Sequence, residues 1–76
     1  MTTAQKTQME KANDVLEQEL KANVTSEDRQ AAVTELDFSL FTVATYLTGK
    51  GKNLDTAMKL IEFFRKRISD REKLIA

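Results

Sequence analysis

Residues 53–74, NLDTAMKLIEFFRKRISDREKL, decide the fold class. Ala57, Ile61, Phe64 and Ile68 recur in steps of four, three and four, the period of one helix face, and Ile75 extends the series. Leu54, Met58 and Leu60 flank that stripe, whereas Arg71 falls on it where an apolar residue would continue the pattern. Asn53 suits a helix N-cap, and Asp55 lies in the first turn, where the positive end of the dipole favours an anion. Asp55 with Lys59 and Glu62 with Lys66 stand in the favourable acid-first order. A helix over about 54–74 follows.

Just upstream lies the strongest punctuation in the chain. There is no proline, and both glycines fall in Gly49-Lys50-Gly51-Lys52. Either can supply the left-handed residue that ends a helix. The helix so ended is predicted over 26–48, opened by Thr25 and Asp28 at capping-box spacing, with Val33, Leu36, Leu40, Val43 and Leu47 along one face and Ala44 beside them. Phe38 to Thr48 is rich in strand-favouring residues but lacks the alternation of a strand. A further helix is predicted over about 3–21, opened by Thr2 with Gln5 and carrying a thin stripe of Met9, Ala12, Leu16 and Leu20. With so little apolar surface it depends on the other helices, or on another chain, for order.

The expected fold class is therefore all-α, one helical domain over 1–76. Its architecture is a small three-helix antiparallel bundle, or a helical hairpin with an added N-terminal helix, completed by oligomerisation. At 76 residues a single core only just balances the entropy of ordering the chain, which favours help from a second copy or a partner. No Cys or His is present to supply a disulfide or a Cys/His zinc site. The longest uncharged run, Phe38 to Gly49, has twelve residues, well short of the roughly 20 a spanning helix needs. Residues 1–11 lack the apolar run of a signal peptide, so no membrane and a cytoplasmic location are expected.

Charge is divided between the halves. Residues 1–48 hold four cations against eight anions, net −4, and residues 49–76 hold eight against four, net +4. Either the halves neutralise one another in the fold or the basic half meets an acidic partner.

The chemical inventory points away from catalysis. Ser26, Ser39 and Ser69 have no recognisable activating base, and there is no His or Cys for acid-base or nucleophilic work. Glu10, Asp14 and Glu17 share a helix face that Lys6 and Lys21 continue, the pattern of a solvated surface. No catalytic, cofactor-binding or metal residue is assigned. The Gly49–Lys52 loop before a helix has parts of a phosphate cradle, but its glycines are too close together for a Walker loop and it reads as a turn.

The expected function is a non-catalytic protein-interaction module, an adaptor, inhibitor or small subunit, docking on a partner protein or on a second copy as a dimer. Phe38 and Tyr46 project away from the stripe of the second helix, and Phe63 lies nearly opposite that of the third. With Leu60 and Arg67 they are the interface candidates. The alternative is a nucleic-acid-associated regulator using Lys50, Lys52, Arg65, Lys66 and Arg67. Interleaved Glu62, Asp70 and Glu72, and the spread of the cations around the helix, weigh against it.

Overall fold

The computed structural model describes residues 7–75, among which there are four α-helices and no strand. The expected cap at Thr2 with Gln5, the expected helix start near residue 3 and the side chain of Ile75 lie outside the described residues. Helix α1, Gln8–Asp14, is opened by a reciprocal cap: Thr7 Oγ1 accepts the Glu10 N–H at 3.1 Å, and the Glu10 carboxylate accepts the Thr7 N–H at 3.1 Å. It continues without a break into a π-helical segment, Val15–Leu20, and a 3-10 turn, Lys21–Asn23.

The π segment follows from the spacing of the core residues. Ala12, Leu16, Leu20 and Val24 are all buried and stand four apart. Steps of four overrun an α-turn of about 3.6 residues, so the stripe would drift around the helix; the wider i→i+5 turns bring it back.

Helix α2, Ser26–Leu36, opens on the expected box, with the Asp28 N–H donating to Thr25 Oγ1 at 3.1 Å and the Thr25 N–H to Asp28 Oδ2 at 3.0 Å. It then stops twelve residues early relative to the continuous helix expected over 26–48. Asp37 turns into the left-handed region at φ 59° and ψ 39°, and Ser39 caps a separate α3, Leu40–Leu47, by accepting the Thr42 N–H at 3.1 Å. Aspartate tolerates that conformation better than most residues, and serine is a strong N-cap. The break re-aims the stripe: Val43, Tyr46 and Leu47 are buried, whereas Leu40 and Ala44 face outward.

Gly49, at φ 79°, ends α3, with its N–H on the Tyr46 carbonyl at 3.1 Å and the Lys50 N–H on the Thr45 carbonyl at 3.3 Å. The Tyr46 ring lies against Gly51 where a Cβ would stand, so only glycine fits there. Tyr46 Oη accepts the Asn53 N–H at 3.0 Å, Asn13 Nδ2 donates to the Gly51 carbonyl at 3.0 Å, and Asn53 Oδ1 caps α4, Leu54–Ile75, by accepting the Thr56 N–H at 3.1 Å.

Asn13 thus meets the start of α4, and Asn23 meets Arg71 near its other end, so the N-terminal helix and α4 run in the same direction. Helix α2 runs back, from Asp28 beside Arg71 to Leu36 beside Phe63. Ala12, Leu16 and Leu20, Ala32, Val43, Tyr46 and Leu47, and Ala57, Leu60, Ile61 and Phe64 fill the space between. Of the thin stripe of the first helix, Ala12, Leu16 and Leu20 are buried and Met9 is half-buried against the core.

Among the described residues one charged residue is buried in this arrangement. Asp28 is 1% exposed, and its carboxylate receives Arg67 Nε at 2.7 Å and Arg71 Nη1 at 2.9 and 3.1 Å. Arg71 Nη2 also donates to the Asn23 carbonyl at 2.7 Å. The cation that interrupted the apolar stripe of α4 is thereby explained. Both guanidinium groups stay half-exposed, so the pair avoids most of the desolvation cost of two fully buried ions. Burial alone pushes the Asp28 carboxyl up, but the Thr25 amide and the two arginines more than offset it, bringing the pKa from 3.8 down to about 2.

A folded-state pKa below the unfolded one means a stabilising contribution that is fully present above about pH 4 and lost as pH falls toward 2. Urea unfolding at pH 4 and pH 2 should show the parent chain losing about 2 kcal/mol more over this interval than Asp28→Asn. Equal losses in both proteins would remove Asp28 from the account.

Candidate interaction surfaces

The five interface candidates fare differently. Leu60 is completely buried and Tyr46 is 8% exposed, so neither offers a docking surface. The 37–39 break turns Tyr46 inward, and Leu60 lies on the core side of α4. Phe38 and Phe63 are half-buried and packed against the core. Phe63 stands edge-on to Phe64 with ring centres 5.8 Å apart, and the Arg67 guanidinium lies 5.7 Å from the Phe63 ring centre. Arg67 is held by Asp28 on one side and approaches Glu35 at 3.9 Å on the other.

The cations of the nucleic-acid reading are dispersed. Lys50 and Lys52 are exposed in the loop before α4. Arg65 lines a groove against α1, whereas Lys66 lines a separate hollow with Leu36 and Phe63. Arg67 is committed to Asp28. The Gly49–Asn53 loop is occupied by its own contacts, through Tyr46, Asn13 and the Asn53 cap.

Two exposed apolar features escaped the sequence reading. On α3, Phe41 is 80% exposed, with Leu40 and Ala44 beside it, and no residue of α3 carries a charge. In projection Leu40, Ala44, Thr48 and Phe41 form one continuous arc. The signal was present in Asp37 and Ser39, both capping types, which separate α3 from the stripe of α2. The second feature is the groove between α1 and α4, walled by Gln8, Lys11, Ala12 and Val15 on one side and Leu54, Met58, Ile61 and Arg65 on the other. Met58 is 52% exposed there.

Among the described residues no cluster of three or more acidic side chains could hold a metal ion, and no helix is long and apolar enough to cross a membrane. No protein-family model, curated protein or solved structure matches the chain.

Tyr46 gives a check on the core assignment. Tyr46→Phe leaves the Asn53 N–H without its acceptor, and thermal or urea unfolding should show a loss of about 1 kcal/mol. Binding to any partner should be unchanged, because the ring is inside.

Proposed function

We propose that the chain is a cytoplasmic, non-catalytic protein-interaction module, an adaptor, inhibitor or small subunit. The supporting observation is the uncharged face of α3, where Phe41 stands 80% exposed beside Leu40 and Ala44. Burying a phenylalanine side chain is worth roughly 2 kcal/mol, and aromatic anchors carry much of the energy of protein interfaces. Leaving one in water on an uncharged helix gives nothing back to the fold. Either a partner protein or a second copy can cover it, a dimer being the simplest closed form.

The nucleic-acid alternative has less support. Arg67 is neutralised by Asp28, and the remaining cations divide between separate grooves and a loop, so they form no single track for a phosphate backbone.

Phe41→Ser separates binding from folding, because so exposed a side chain contributes little to stability, within about 0.5 kcal/mol. Unfolding of the variant should match the parent. Sedimentation of the purified chain and affinity capture from its host should show an assembly that the variant loses. A parent and variant with the same mass in solution and the same captured proteins would overturn the reading.

A further inference from the structure

We propose that the groove between α1 and α4 receives an amphipathic helix of a partner protein whose apolar face is flanked by carboxylates. The inference rests on the interaction-module reading and adds a second site with a defined class of ligand. Both walls are faces of continuous helix: residues 8, 11 and 12 of α1 with Val15 at the start of the π-helical segment, and residues 54, 58, 61 and 65 of α4. The apolar lining is Ala12, Val15, Leu54, Met58 and Ile61. Met58 is half-exposed, an unbranched and adaptable side chain placed where a third helix would press.

The rim sets the sign of the occupant. Lys11 stands on one wall and Arg65 on the other, both exposed, and neither is held in an ion pair with a described residue. Among the described residues no acidic side chain lines the groove. The other hollows differ: Glu62 accompanies Lys59 and Lys66 beside Phe63, and Glu27, Asp28 and Asp70 accompany Arg67 and Arg71. Those mix charges of both signs, net +1 and net −1, whereas the α1–α4 groove presents two cations, and no anion among the described residues, over an apolar lining.

Shape and symmetry narrow the occupant further. Leu54 to Arg65 spans about 16 Å of helix, or three turns, which suits the apolar face of a short helix laid between two others. A membrane surface is flat and does not reach a floor between two helices. A second copy paired groove to groove about a two-fold axis would set the Lys11 and Arg65 of each copy against their own kind.

The test uses the full chain and a designed fluorescent helical peptide of about 14 residues, with leucines at i, i+3, i+4 and i+7 and glutamates on either side. A control peptide carries lysines in place of the glutamates. Anisotropy titrations should show the acidic peptide binding at least about tenfold more tightly than the basic one. Met58→Asp should abolish that binding, and the double variant Lys11→Glu with Arg65→Glu should reverse the preference, with the helical circular dichroism of each variant unchanged. Equal binding, or no binding of either peptide, overturns the assignment. So does self-association that Met58→Asp abolishes, or preferential binding to phosphatidylserine vesicles. Phe41 lies outside the groove, so a partner still lost by Phe41→Ser while the peptide fails leaves the module reading standing and removes only the groove.

Discussion

The structure depends on a single carboxylate. Asp28 completes the N-terminal cap of α2 and, from the same side chain, binds two arginines from successive turns of α4. Arg71 extends the contact to the Asn23 carbonyl at the end of the N-terminal helix. Three elements therefore meet at one buried charge, and separating any of them leaves that charge exposed to loss of its partners. A hydrophobic contact at this position could slide by a turn; a carboxylate with directed bonds to Arg67 and Arg71 fixes the register of α2 on α4. The division of charge between the halves is partly resolved here, because Asp28 and Glu35 come from the acidic half and both arginines from the basic one.

From that fixed point the outer surfaces follow. With α2 held against α4, the chain turns at Asp37, and α3 buries Val43, Tyr46 and Leu47 while Leu40, Phe41 and Ala44 remain outside. The Tyr46 ring closes over Gly51 and its hydroxyl receives the Asn53 N–H, so the loop that resembled a phosphate cradle is a brace between α3 and α4. At the other side of α4, Ile61 and Phe64 are buried, but the groove against the N-terminal helix leaves Met58 half in water. The large apolar side chains left exposed are Leu40 and Phe41 on α3, Met58 in the α1–α4 groove and Leu74 near the end of α4.

Local patterns were legible in the sequence. The period of Ala57, Ile61 and Phe64, the Thr25–Asp28 box and the glycine turn each depend on neighbours within a few residues, and each appears as read. The π-helical turns were not legible, because they arise from the need to keep Ala12, Leu16, Leu20 and Val24 in line against α4 rather than from any residue preference. The break at Asp37 was masked by an apolar stripe that ran through it in projection. That error reversed the environments of Tyr46 and Leu40 and hid Phe41. The Asp28 contacts join residues 39 and 43 positions apart, and their one trace in the sequence was Arg71 on an apolar stripe.

Whether Asp28 and the α4 arginines act as one unit holding the helices in register is read from a double-mutant cycle on stability with Asp28→Asn and Arg71→Met. Groups joined through a shared network couple, whereas independent sites add to within about 0.5 kcal/mol. A coupling energy of about 1 kcal/mol or more is expected at neutral pH, reduced at pH 2, where about half of the carboxylate is protonated. Additive single-variant losses at neutral pH would contradict it.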